Sequence, residues 1–552
     1  MKDIEFNLID EPWIRTALPD GHVIETSLMD VICNAHQYRS LAGEMAAQDI
    51  AILRMLAALV HTVFTRVNVS GEPDPVAEAQ ECIERWKSIW ELGEFPGKPV
   101  EDYLNHWRDR FWLFHPERPF YQVPRAAIGT KNTAGKLNGA VSESNNKIRL
   151  FSQVSRIGKK TMTYAESARW LLFLNGFDDC AAKQADKSDG SRSFTVGWLG
   201  KLGLIYAVGN NLFETIMLNM PMLHDADLIP WTEDVPTWEL EKVRDSERET
   251  IRMPDNLAGL YTLQSRRIIL ERADDQVTGY SLLGGDAFED TNALGEPMTI
   301  WRTLKDKKTE VLSYKPLPHL RSRYIWRDFA ALTAASTAAM KPGIVHWCDR
   351  LREEKILPRK RIQTFGVICV RYDSSQSSSI TDSFSDNVAF HIDILSDSGK
   401  FWREEIVNQI AKIDKAAWLL GEFVSRLRRS DGLDPKQDEA PAEAAKQAFY
   451  YVIDRVFREW LVNIDADQDA EERNAVAVEL EKSVRAAALN IGRQLVEQAG
   501  PGSFIGRSVS DKKKKVQAHY SAPQAFMWFR NNIFELYPTV KGGMAVEEEY
   551  SG

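Results

Sequence analysis

From about Lys400 onward, apolar residues recur every three or four positions in four separate runs. The first is Ile406, Ile410, Ile413, Ala417, Leu420, Val424 and Leu427, and the second is Phe449, Val452, Val456 and Trp460. The third is Val476, Leu480, Val484, Ala487, Ile491 and Leu495. Pro523 opens the fourth, with Phe526, Phe529, Ile533 and Leu536 facing inward. That spacing is the mark of helices with one apolar face, and Pro is accommodated at the first helical position. Polar loops rich in Asp and Pro separate the runs, so the segment reads as a four-helix bundle.

Upstream the pattern is mixed. Ile9 to Thr16 and His22 to Thr26 are strand-like, and Leu18-Pro19-Asp20-Gly21 supplies the turn between them. Ser27 is placed to cap a helix that starts at Leu28. A long helix is expected from about Glu44 to Val67, with Ile52, Met55, Leu56, Leu59, Val60 and Val63 at helical spacing. The dense run Phe111 to Gln122 suits a packed junction better than a stacking platform for bases. Gly129 to Lys147 and Asp178 to Ser193 are long polar loops, a kind that is often functional. Phe365 to Val370 is an apolar strand that leads into the polar tip Arg371 to Ser379, after which Ile380 resumes strand character. The fold class expected is α+β. A large mixed α/β domain over residues 1–396 precedes the four-helix bundle over 397–552.

Composition narrows the function. At 552 residues the chain is too long for one ordinary domain, and 44% hydrophobic with 27% charged residues is the balance of a globular protein with a large core. The longest apolar stretch, Ile50 to Phe64, contains Arg54 and His61 and reads as a buried helix. Met1-Lys2-Asp3 opens no apolar leader, so a cytoplasmic location and no membrane are expected. The five cysteines are scattered and form no CxxC pair, which argues against a disulfide framework and a thiolate zinc site; all are expected to be small buried hydrophobes. The net charge of −10 counts against a free-standing nucleic-acid binder but says little about local patches.

Known catalytic signatures are missing. There is no Walker A sequence, GxGxxG, HExxH or GxSxG motif. His224-Asp225 is a lone pair that would need further ligands to act as a metal phosphohydrolase, and His391-Ile392-Asp393 stands equally alone. The residues by themselves point to a non-enzymatic interaction protein with long polar loops. A metal-dependent nuclease or phosphohydrolase, and a pure scaffold, are the alternatives.

The opening Phe6-Asn7-Leu8-Ile9-Asp10-Glu11-Pro12-Trp13-Ile14 and the aromatic stretch around His115-Pro116 closely resemble the CasA family. CasA proteins are the large subunits of the type I-E CRISPR surveillance complex, Cascade. The resemblance runs the length of the chain in order. It implies a non-catalytic subunit that recognises the protospacer-adjacent motif in duplex DNA through the minor groove. It also implies that the subunit starts strand separation for R-loop formation and helps recruit a helicase-nuclease effector. Its implied partners are the other Cascade subunits, the guide RNA and double-stranded target DNA. Gln376 takes the place of the family's wedge glutamine, flanked by Ser375 and Ser377. The family's glycine loop falls near Lys187 to Arg192, with Gly190 as its natural candidate, and Arg302 or Lys305 takes the place of a minor-groove lysine. The segment Phe151 to Lys160, with Phe151 and Gln153, resembles the loop that docks near the guide RNA and a neighbouring subunit. No zinc or other cofactor is implied, because the paired CxxC motifs of some relatives are missing here.

Overall fold

The computed structural model describes residues 3–138, 160–180, 195–224, 229–231, 235–306, 308–333, 335, 339–373, 380–511 and 516–538. The architecture is mixed α/β with a helical C-terminal region, as the α+β reading expects. Two compact units form. One gathers Met1–Arg321, Ser336–Leu357 and Gln363–Asn387; the other gathers Ser322–Ala335, Pro358–Ile362 and Val388–Gly552.

The first unit is built around the helix Ala46–Arg66, close to the span read from its apolar spacing. It packs against the helices Tyr164–Phe177 and Leu257–Tyr261. It is also the one described helix long and apolar enough to cross a membrane, but its most apolar window is 94% buried inside the protein. Burial on every face forces its polar residues to find partners. Arg54, fully buried, lays both terminal nitrogens on the Glu296 carboxylate at 2.7 and 3.0 Å. His61 is also fully buried.

The N-terminal hairpin differs in detail from its expected bounds. The strands are Ile14–Ala17 and Val23–Thr26, and the chain from Asn7 to Glu11 turns instead of extending. Asn7 causes this: its side chain accepts from Ile9 N at 3.0 Å, and its carbonyl accepts from the amides of Asp10 and Glu11. Ser27 does cap the next helix, accepting from Asp30 N at 3.2 Å. Phe111, Leu113, Phe120 and Tyr121 are buried, and the Phe111 and Phe120 rings stack at 5.3 Å, so this stretch is core. Cys82, Cys348 and Cys369 are buried, whereas Cys33 and Cys180 keep partial exposure, contrary to the expectation that all five are buried.

Near the start of the core helix, Asp49 accepts from Gly43 N at 2.8 Å, and desolvation pushes its carboxyl up to about 7. A raised acid pKa means that the folded state holds a proton the unfolded chain releases above about pH 4. Stability from this group is therefore full below pH 4 and is lost as pH rises through 7. Asp49→Asn should flatten that slope and add on the order of 1–2 kcal/mol at pH 8. Urea melts of both proteins at pH 5 and pH 8 measure the difference; equal slopes for the two would contradict it.

In the second unit four helices, Lys400–Ser430, Ala440–Val462, Ala470–Glu497 and Ala522–Leu536, pack together. The inward residues of the first match expectation from Ile406 to Leu427. In the second helix Phe449 and Trp460 face inward as expected, but between them the phase shifts by one residue. Val452 is exposed and Val456 only half-buried, while Ile453 and Phe457 face inward. Trp326, from the upstream segment of the same unit, stacks on Phe457 at 4.3 Å and donates to Asp454 at 2.9 Å, which selects that face. The third helix buries Ala477, Leu480, Val484, Ala488 and Leu489, whereas Val476, Ala487, Ile491 and Leu495 lie at its edges.

Candidate nucleic-acid interface

A three-stranded sheet carries the Ser/Gln tip. Its order is Ile380–His391, Ile362–Tyr372, Leu204–Val208. The central strand is buried without a break from Phe365 to Val370, so it reads as the apolar run that the sequence displays. The outer strand Ile380–His391 is polar over its first half and more exposed. Thr381 Oγ1 donates to Arg371 O at 3.2 Å between the two strands just below the tip, and Arg321, from outside the sheet, pairs with Asp382 at 2.7 Å. Ser375, Gln376 and Ser377 lie outside the described residues, between Asp373 and Ile380.

The second polar loop leaves from the helix Tyr164–Phe177 and returns at Thr195. Lys187 and Gly190 within it lie outside the described residues, as do Phe151 and Gln153 in the earlier loop. Both ends of the segment are nonetheless held firmly. Arg266, fully buried, pairs with the Asp178 carboxylate and donates to the carbonyls of Asp179 and Thr195, both at 2.8 Å. Gly197 N donates to Asp178 O at 3.0 Å. A Cβ on Gly197 would strike the Gly176 backbone, so only glycine allows this close return. Lys136 adds an ion pair to Asp179 at 3.0 Å.

One contact joins the two loop systems. Tyr372, the last residue of the central strand, donates its hydroxyl to Phe177 O at 2.7 Å. Gly200, where any Cβ would collide with the Tyr372 ring and hydroxyl, makes room for it. Burial holds the phenol far above its usual range, so the donor stays protonated.

The basic residues expected nearby separate in role. Arg302 and Lys305 both lie on the strand Trp301–Lys305, three positions apart, so they point to opposite faces. Lys305 is paired with Glu310 at 3.1 Å. Arg302 is exposed and has no ion-pair partner among the described residues. Just before it, Thr299 bridges Leu204 and Ile205 N donates to Met298 O at 3.1 Å. The strand of Arg302 is thereby attached to the same sheet that carries the tip.

The remaining chemistry does not converge. His224 sits edge-on to Trp231 at 4.7 Å, and Asp225 lies outside the described residues. Asp393 is engaged by Arg359 at 2.6 Å. Among the described residues no cluster of three His, Cys, Asp or Glu could hold a metal ion. Sequence reasoning missed Arg266 and Tyr372. The signal was present: Arg266-Arg267 directly precedes the apolar run Ile268-Ile269-Leu270, where a buried charge needs a partner.

Comparison with known proteins decides the lineage. The family model for CRISPR-associated protein Cse1 matches residues 7–491. The chain belongs to the Cse1 family. The CRISPR-associated protein CasA/Cse1 of Thermus thermophilus is 32% identical over 335 residues, which cover 59% of this chain. The match spans 60% of the length of that relative. The solved Cse1 of Thermobifida fusca is 28% identical and superposes with a TM-score of 0.80 over 97% of this chain and 98% of its own. A chain of a CRISPR RNA-guided surveillance complex shares the fold at a TM-score of 0.66 and 17% identity, over 96% of this chain and 99% of its own.

Proposed function

We propose that this Cse1-family chain is the non-catalytic large subunit of an RNA-guided CRISPR surveillance complex, Cascade. In that role it reads the protospacer-adjacent motif from the minor groove of duplex DNA and starts strand separation. The minor groove offers a degenerate pattern, so a loop there tolerates several motifs while base pairing with the guide checks the rest of the sequence. The loop containing Lys187 and Gly190 reads the groove. Gln376 inserts at the base step beside the motif, with Ser375 and Ser377 as neutral flanks, and Arg302 supplies the free cation for the phosphates. Phe151 and Gln153 dock the subunit against guide RNA and a neighbouring subunit, and the assembled complex recruits the helicase-nuclease that cuts.

The observation that carries this reading is the joined root of the two loops: Tyr372 below the tip is bonded to Phe177 below the loop. It supports a reader and a wedge that act side by side on one stretch of duplex. Unstacking a base step costs a few kcal/mol, which the inserted side chain offsets. Gln376→Ala in the assembled complex should therefore weaken binding to closed duplex target by about 10- to 100-fold and leave single-stranded target unchanged. Gel-shift titrations of both targets provide the check. Equal loss on the two would remove the wedge assignment.

A further inference from the structure

Two side chains hold the roots of both loops: Arg266, fully buried, and Tyr372, half-buried. Arg266 occupies the first position of the strand Arg266–Ala273. Its guanidinium spans the gap between the outgoing chain at Asp178 and Asp179 and the returning chain at Thr195. A buried guanidinium that spends its donors on backbone carbonyls fixes the distance between those carbonyls, because its fork is planar and rigid. Tyr372 ties the hairpin strand to Phe177, one residue before Asp178. Arg266 and Tyr372 thus meet the same three-residue corner, Phe177 to Asp179. Trp198, just past the return, is itself anchored by its indole N–H on Glu296 at 2.8 Å and its amide on Ser265 at 3.1 Å.

We infer that Arg266 and Tyr372 are positioning residues that hold the roots of the motif-reading loop and of the strand-separating tip on one shared mount, so that engagement of the motif sets where the wedge enters the duplex. The inference rests on the proposed function of the two loops. Its consequence is coupling: the mount matters when duplex must be opened at the motif and not when the strands are already apart.

Tyr372→Phe tests this with little change in packing, since only the hydroxyl is removed. In the assembled complex with guide RNA, it should weaken binding to closed duplex carrying the motif by about three- to ten-fold, the effect of one lost hydrogen bond. Binding to a target with a pre-opened bubble at the motif should stay within experimental error, as should assembly of the complex. Added to Gln376→Ala, it should cost less than in the wild-type background, because a mount without its wedge has nothing to place. Unchanged duplex binding, equal loss on duplex and bubble, or full additivity with Gln376→Ala would overturn the mount. If Gln376→Ala alone leaves duplex binding intact, the wedge reading fails, and the mount fails with it. If Gln376→Ala acts while Tyr372→Phe is silent, only the mount fails.

Discussion

Glu296→Ala is expected to cost the chain about 3–5 kcal/mol of folding stability. The carboxylate is fully buried and accepts four donors: Arg54 at 2.7 and 3.0 Å, the Trp198 indole at 2.8 Å and Met298 N at 3.1 Å. Removing it leaves the Arg54 guanidinium charged in the core. That guanidinium's remaining contacts are the Leu260 carbonyl at 3.4 Å and the face of Tyr261 at 4.1 Å, too little to offset desolvation. The paired substitution Arg54→Met with Glu296→Met should recover most of the loss, since the penalty comes from the stranded charge and not from the missing attraction. Urea denaturation of the three proteins decides it. A single variant that loses under about 1 kcal/mol would show that water reaches the site and solvates the arginine.

That ion pair also shows what the chain could and could not disclose. The helix Ala46–Arg66 was legible because its apolar residues repeat at helical spacing along its whole length. Its partner was not, because Arg54 and Glu296 stand 242 positions apart and nothing local marks Glu296 as buried. The bundle teaches the same lesson in a weaker form. Ile406 to Leu427 declares one face unambiguously. In Phe449-Tyr450-Tyr451-Val452-Ile453 every position is apolar or aromatic, so two phases fit equally well. Packing against Trp326, more than a hundred residues earlier, chose the phase that buries Ile453 and Phe457.

The candidate interface was legible as a pair of polar interruptions. Strand character stops at Tyr372 and resumes at Ile380, as the switch from apolar to Ser-rich sequence announced. The departure of the second loop after Phe177 was equally clear. The bond between the two roots was hidden: Tyr372 and Phe177 are joined only through the folded sheet, and a lone Tyr before a polar tip carries no sign of a distant carbonyl. The pair Arg302 and Lys305 offered two alternatives for one role. Strand geometry divides it, sending Arg302 to one face and Lys305 to the other, where Glu310 neutralises the lysine.

Trp13→Ala should be as damaging as loss of Glu296, by a different route. Trp13 is fully buried, and its indole N–H donates to Leu8 O at 2.9 Å, closing the turn that Asn7 begins. Its own carbonyl accepts from the buried Arg169 at 2.6 Å, and Arg169 in turn binds Glu25 at 2.8 Å and Glu44. Truncation removes a large apolar side chain and opens a cavity where the opening segment meets the core, a change that costs about 3–5 kcal/mol. Trp13→Phe keeps much of the volume and gives up the hydrogen bond, for about 1–2 kcal/mol. Thermal melts of both variants should rank them in that order. Because the residue packs the core and lies far from either loop root in the chain, Trp13→Phe complexes that assemble should discriminate motif-bearing from scrambled duplex as well as wild type. A loss of discrimination without a loss of stability would mean that the opening segment contributes to the proposed DNA reading directly and is more than a structural strap.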